Sequence, residues 1–167
     1  MDDGVQEQVA DRFTGGRLAL LLYGAIVAAT ALAIAGTHLA APHFVLVAIL
    51  GSLTIYWLSH VYVHTVAEHV AHPGTPLLHV VGASFRGETP LLLGGLPTAA
   101  VYLAASLLGA EMDTATFVAL WFTVGLLGVT GYAAGRRAGA TGWRLAGESL
   151  VAAGFGVVAV GLKIAMH

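Results

Sequence analysis

Polar and ionisable side chains recur at helical spacing along one apolar stretch of the sequence. The set consists of Trp57, His60, His64 and Glu68. Intervals of three, four and four residues place these side chains on one face of an α-helix, and His72 continues the line one turn later. Two imidazoles one turn apart can chelate a divalent cation such as zinc, and the same ladder can pass protons because histidine titrates near neutral pH.

A second acid lies within another apolar stretch and could complete this site. Glu148 is about one turn from the start of the last span, close to the depth expected for His60 and His64. A carboxylate at that depth is costly unless it is protonated, paired or hydrated. It can pair with Arg144, four residues earlier, or join the two histidines, and the sequence leaves both readings open. The predicted metal ligands are therefore His60, His64, Glu68 and Glu148.

The composition places these residues in a membrane protein. The chain has 167 residues, of which 57% are hydrophobic and 10% charged, with a mean hydropathy of +0.84. A soluble domain carries about 25% charged residues, so the lipid bilayer is the expected surrounding. The net charge of −2 argues against a nucleic-acid partner. The absence of cysteine excludes disulfides, thiol catalysis and every cysteine-based metal site.

Five stretches are long and apolar enough to cross a bilayer, which takes roughly 20 residues each. They cover approximately residues 17–36, 44–66, 90–110, 114–135 and 143–165. Lipid cannot satisfy free backbone groups, so each span must be a helix, and the short connections make successive helices antiparallel. The prediction is a single all-α domain over residues 1–167, a five-helix up-and-down transmembrane bundle with a cytoplasmic tail at 1–16. Residues 73–89 are apolar but too short to span, and we expect an interfacial segment or, alternatively, a re-entrant loop.

The basic residues predict the orientation. Those on the side of the N-terminus are Arg12, Arg17, Arg86, Arg136, Arg137 and Arg144. The other side carries only Lys163, which we expect to snorkel outward. The bias predicts the inner (plasma) membrane, with the N-terminus cytoplasmic and the C-terminus outside. A cleaved signal peptide in place of the first span is the alternative, and it would leave this orientation unchanged.

Small residues mark a helix-packing face in the fourth span. Its members are Gly125, Gly128, Gly131 and Gly135. Glycines at this spacing form a groove that admits another helix closely, either the fifth span of the same chain or a second copy in a homo-oligomer. In the third span, Gly94, Gly95 and Pro97 predict a kinked or loosened helix.

Three stretches of the chain resemble small multi-pass integral membrane proteins of unassigned function from high-GC bacteria. They are residues 56–62 (YWLSHVY), 131–139 (GYAAGRRAG) and 161–167 (GLKIAMH). The resemblance implies a multi-pass membrane fold and brings no activity, cofactor or catalytic residue with it.

The residues themselves favour a channel or transporter for a proton or a small or divalent cation, with the His/Glu site near the inner leaflet. A membrane-embedded metal-dependent enzyme could use the same residues, but it requires a third firm ligand and an acid or base nearby. The third hypothesis is a non-catalytic membrane subunit or assembly factor that docks through the glycine groove.

Overall fold

The protein is a bundle of five helices joined by short turns, as seen in a computed structural model. The helices are α1 (Asp3–His38), α2 (Pro42–Ala71), α3 (Leu77–Leu107), α4 (Met112–Arg137) and α5 (Trp143–Ala165). The structure describes residues 3–39, 41–72 and 74–165, with side chains from residue 15 onward, so the side chain of Arg12 lies outside the described part. Within these ranges, five helices are long and apolar enough to cross a membrane. The predicted all-α transmembrane bundle is confirmed.

The helix ends follow local backbone chemistry. Pro42 occupies the start of α2, where its fixed φ suits a helix and its missing N–H costs nothing. Gly109 and Gly139 end α3 and α4 with φ of 84° and 75°, a left-handed conformation that glycine adopts freely. Such a turn lets the Ala110 N–H reach back to the Ala105 carbonyl, at 3.1 Å. The short turns give the antiparallel order that the sequence predicts.

The first helix lies at the centre of the bundle. α1 packs against all four other helices. Its inward face carries small and aliphatic side chains that are completely buried, among them Ala28, Leu32 and Ala33. These small side chains let the other helices pack closely around α1. Close packing matters here because the hydrophobic effect does not drive helices together in lipid.

Glycines bring α1 and α3 into backbone contact. A Cβ on Gly24 would meet the carbonyl oxygen of Leu91, and a Cβ on Gly94 would meet the backbone of Leu21. The helix α3 runs without interruption through Pro97. The glycines here allow close approach.

The third helix also begins earlier than predicted. It starts at Leu77, directly after Pro76, and passes through Pro90. The prediction of a separate interfacial segment at 73–89 is therefore wrong for the described residues from 77 onward, and Pro73 lies outside them. An internal proline costs one backbone hydrogen bond, which membrane helices tolerate where neighbouring groups compensate. With 31 residues, α3 is about 46 Å long and exceeds a hydrocarbon core of about 30 Å.

Lys163 does not snorkel. Its side chain is fully buried, and Nζ donates to the carbonyl oxygen of Gly36 and to Oδ1 of Asp113, both at 2.9 Å. The Phe117 ring centroid lies 6.0 Å from the ammonium. These groups supply acceptors and a π face inside the bundle, so the ammonium has no need to reach water. The expectation fails because partners from α1 and α4 meet α5 at this point.

Candidate functional site

The predicted polar face of α2 packs against α3. The Trp57 ring meets the Phe85 ring edge-on, with centroids 4.9 Å apart. One turn further along, the imidazoles of His60 and His64 both approach the carboxyl group of Glu88. Trp57, His60 and His64 therefore lie on one face of α2, as their helical spacing in the sequence predicts.

Glu88 is the buried acid at the centre of this cluster. Its side chain is only 5% exposed, and Oε2 lies 3.3 Å from Nδ1 of His60 while Oε1 lies 3.5 Å from Nε2 of His64. Within the described residues, Oε2 has no hydrogen-bond partner of good geometry. A charge-assisted N–H···O bond is typically about 2.7–2.9 Å long, so both imidazoles are near but not tightly bonded. Small side-chain rotations would bring either imidazole within hydrogen-bond distance of the carboxyl group.

The backbone of α3 explains why Glu88 points inward. Ser84, Glu88, Leu91, Thr98 and Tyr102 are all buried, and their helical spacing keeps them on one side of α3. Glu88 is not among the predicted site residues, because it falls in the segment 73–89 that was expected to lie at the surface ahead of the third span. The helical spacing of the buried residues in the third span continues backward through residues 88 and 84. This periodicity could have identified Glu88 from the sequence.

A cavity of about 810 Å³ adjoins the cluster between α1, α2 and α3. Glu88, His60 and Tyr23 form its polar wall, and the Tyr23 ring lies 5.2 Å from the His60 ring. Arg17 and Glu68 line the end of the cavity that lies toward the C-terminus of α2, and this end is here called its mouth. The apolar lining includes Ala19, Leu20, Val63, Val80 and Ala83. The site is therefore a buried carboxyl group, flanked by two imidazoles, at the side of a largely apolar cavity.

The cluster lies toward the C-terminal end of α2 and the N-terminal end of α3. His60 is about 27 Å along α2 from Pro42, and Glu88 is about 28 Å along α3 from Leu107, at 1.5 Å per residue. A hydrocarbon core about 30 Å thick that began at Pro42 and Leu107 would end close to the cluster. Beyond Glu88 along α3, the glycine contact holds α1 and α3 close together, and the Leu53 side chain packs on Gly95 there.

The structure does not bring Glu148 to the histidines. Its carboxyl group lies beside Gly135 of α4, with Oε1 4.0 Å from Nε of Arg144. That is the pairing the sequence left open as the alternative. Glu68 remains on the histidine side of α2, at the cavity mouth, where Oε1 is 3.2 Å from Nδ1 of His72. Among the described residues, no group of three or more histidine, aspartate or glutamate side chains is arranged to hold a metal ion.

The glycine face of α4 is occupied by α5. A Cβ on Gly131 would lie 2.6 Å from the Cβ of Ala152, and one on Gly128 would lie 3.6 Å from the Cβ of Ala153. Gly125 has open space around it. Of the two predicted uses of this face, packing within the chain is observed at Gly128 and Gly131.

Comparison with known proteins adds no assignment to this geometry. No protein-family model, no curated protein and no solved structure matches the chain. The protein is an integral membrane protein on the strength of its five spans, and the functional argument rests on the side chains of this chain.

Proposed function

We propose that this integral membrane protein is a transporter that binds a proton or small monovalent cation at Glu88, His60 and His64. The observation that carries the proposal is the Glu88 carboxyl group, 5% exposed and flanked at 3.3 and 3.5 Å by two imidazoles from the neighbouring helix. Ionisable groups inside membrane segments are costly, and they typically serve ion pathways or proton relays.

The charge of the cluster supports proton binding. An ionised Glu88 with neutral His60 and His64 carries a net charge of −1 in a place where charge is poorly solvated. One added proton on the Glu88 carboxylate makes the cluster neutral, and the adjacent imidazoles can relay that proton. A divalent metal is a weaker candidate, because among the described residues no group of three or more histidine or acidic side chains is arranged to hold one.

The surroundings favour a transporter over an open channel. On one side the cluster adjoins the cavity lined by Arg17 and Glu68. On the other side, the contact of Gly24 with the Leu91 backbone holds α1 and α3 close together one turn beyond Glu88. A bound proton can therefore exchange with one face in this conformation, and passage to the other face requires the helices to move.

We further propose that the site faces the cytoplasm of a cell with an inner plasma membrane. Arg17, Arg136, Arg137 and Arg144 belong to the same end of the bundle as the cavity mouth, because successive helices are antiparallel. An excess of arginine marks the cytoplasmic side of membrane proteins. The proton is accordingly expected to enter or leave on that side.

The test measures proton flux into liposomes that contain the purified protein, with a pH-sensitive dye inside and an imposed pH gradient. We expect flux with the wild-type protein and with Glu148→Gln, since that acid lies away from the cluster at α4 and α5. Glu88→Gln should abolish it. An infrared pH titration should also show a protonated-carboxyl band that Glu88→Gln removes. Undiminished flux in Glu88→Gln, or no titrating carboxyl group, would contradict the proposal.

A further inference from the structure

The cavity beside Glu88 is much larger than a proton-binding site needs to be. Its volume of about 810 Å³ lies within the range of small-molecule sites, about 300–1,000 Å³. Most of its wall is apolar, while one buried carboxyl group stands at its side with Oε2 lacking a hydrogen-bond partner among the described residues. A hydrated metal ion or a bare proton would leave the apolar wall unused.

The charges of the lining indicate the sign of the ligand. The lining carries two acids, Glu68 from α2 and Glu88 from α3, against one basic side chain, Arg17 from α1. Two imidazoles lie beside Glu88, so with neutral histidines and ionised acids the lining has a net charge of −1. An anionic ligand would have to be held beside a buried carboxylate, which costs energy that no inward-facing cation offsets.

The aromatic side chains add a second attraction for cations. Tyr23 lines the cavity, and its ring packs edge-on against the Tyr56 ring with centroids 5.9 Å apart. The face of a tyrosine ring attracts an ammonium or similar cation within about 6 Å. Leu20 and Val80 offer contact surface for the apolar substituents of such a ligand.

We infer that this cavity binds a hydrophobic organic monocation, such as a substituted ammonium ion, in exchange for the proton held by the Glu88 cluster. The inference rests on the proposed function and names the substrate class of the same site. Each cation that enters neutralises the −1 charge, so it displaces one proton: the protonated cluster plus the cation gives the cation complex plus a free proton. No bond other than that to the proton forms or breaks.

The exchange makes cation affinity depend on pH. The titratable and charged groups facing the cavity are Arg17 and Tyr23 of α1, His60, His64 and Glu68 of α2, and Glu88 of α3. Protons added to the carboxylate or to the imidazoles all weaken cation binding, because each adds positive charge. The affinity should therefore rise with pH, by at most about tenfold per pH unit where one proton is exchanged.

The experiment uses tetraphenylphosphonium as the probe, measured by equilibrium dialysis against the purified protein in detergent. Tetraphenylborate has the same shape and the opposite charge, so it is the control for simple partitioning. We expect saturable binding of tetraphenylphosphonium and no saturable binding of tetraphenylborate. The phosphonium should bind more tightly at pH 8 than at pH 6. In weak buffer, each bound cation should release close to one proton. Glu88→Gln should lose the binding, and His69→Ala, a variant of an exposed α2 residue outside the cavity, should keep it.

Two outcomes would overturn the inference. Equal binding of both ions by the wild-type protein would show that the cavity does not select charge, and this readout does not depend on whether a variant folds. Retention of phosphonium affinity in Glu88→Gln would show that the carboxylate is not the counter-ion. If the infrared titration still finds a protonating Glu88 in either case, the proton site stands and only the organic ligand is wrong.

Discussion

The buried ion pair between α5 and α4 allows a quantitative test of the packing. Lys163 is completely buried, whereas the Asp113 side chain is 52% exposed. Removing the lysine leaves a carboxylate that can be solvated where it stands. Removing the aspartate leaves an ammonium enclosed by protein, with the Gly36 carbonyl oxygen and the Phe117 ring as its remaining described neighbours. The two deletions should therefore differ in cost.

The expected cost in unfolding free energy depends on which partner of the ion pair is removed. Lys163→Met keeps most of the side-chain volume and removes hydrogen bonds, for which a cost of about 1–3 kcal/mol in unfolding free energy is typical. Asp113→Ala strands a buried charge, and breaking a buried pair in that way costs about 3–5 kcal/mol. The double variant Lys163→Met/Asp113→Ala has no stranded charge. It should be more stable than Asp113→Ala alone.

The assay is equilibrium unfolding in mixed micelles with increasing dodecyl sulfate, followed by tryptophan fluorescence. Glu111→Ala removes an exposed acid from the same turn and should change the free energy of unfolding by no more than about 0.5 kcal/mol. A Lys163 ammonium that reached water instead would make Asp113→Ala as mild as Glu111→Ala. A double variant no more stable than Asp113→Ala would equally refute the reasoning.

Two further predictions concern orientation and the glycine face. A cysteine at position 111 should react with an impermeant reagent added outside the cell and one at position 139 should not, since the arginine-rich end is expected inside; the reverse labelling would invert the orientation. Gly131→Leu should lower the unfolding free energy by at least about 1–3 kcal/mol, because its new Cβ would lie 2.6 Å from that of Ala152. Gly125→Leu, with open space around it, is the matched control, and equal stability of the two variants would mean that the close contact is unimportant.

The class of fold and the polar face of α2 could be predicted from the sequence for the same physical reason. Lipid satisfies no backbone group, so long apolar stretches must be helices, and helical geometry then places Trp57, His60 and His64 on one side. These are local properties, set by residues within a few turns of one another. The contact of α4 with α5 through Gly131 also followed, because small residues at regular spacing need a close partner and the adjoining helix is the nearest.

The partner of the histidines was decided only by the tertiary structure. Glu88 and Glu148 are both acids at the edge of apolar spans, and depth along the helix does not distinguish them. The two acids differ in the helices that their own helix packs against. α3, which carries Glu88, packs on α2, whereas α5, which carries Glu148, packs on α4 and on the central helix α1. Lateral order depends on how all the helix surfaces pack together, for which the sequence carries no local pattern. The same reason explains Lys163, whose acceptors at Gly36 and Asp113 come from two other helices and meet only in the folded bundle.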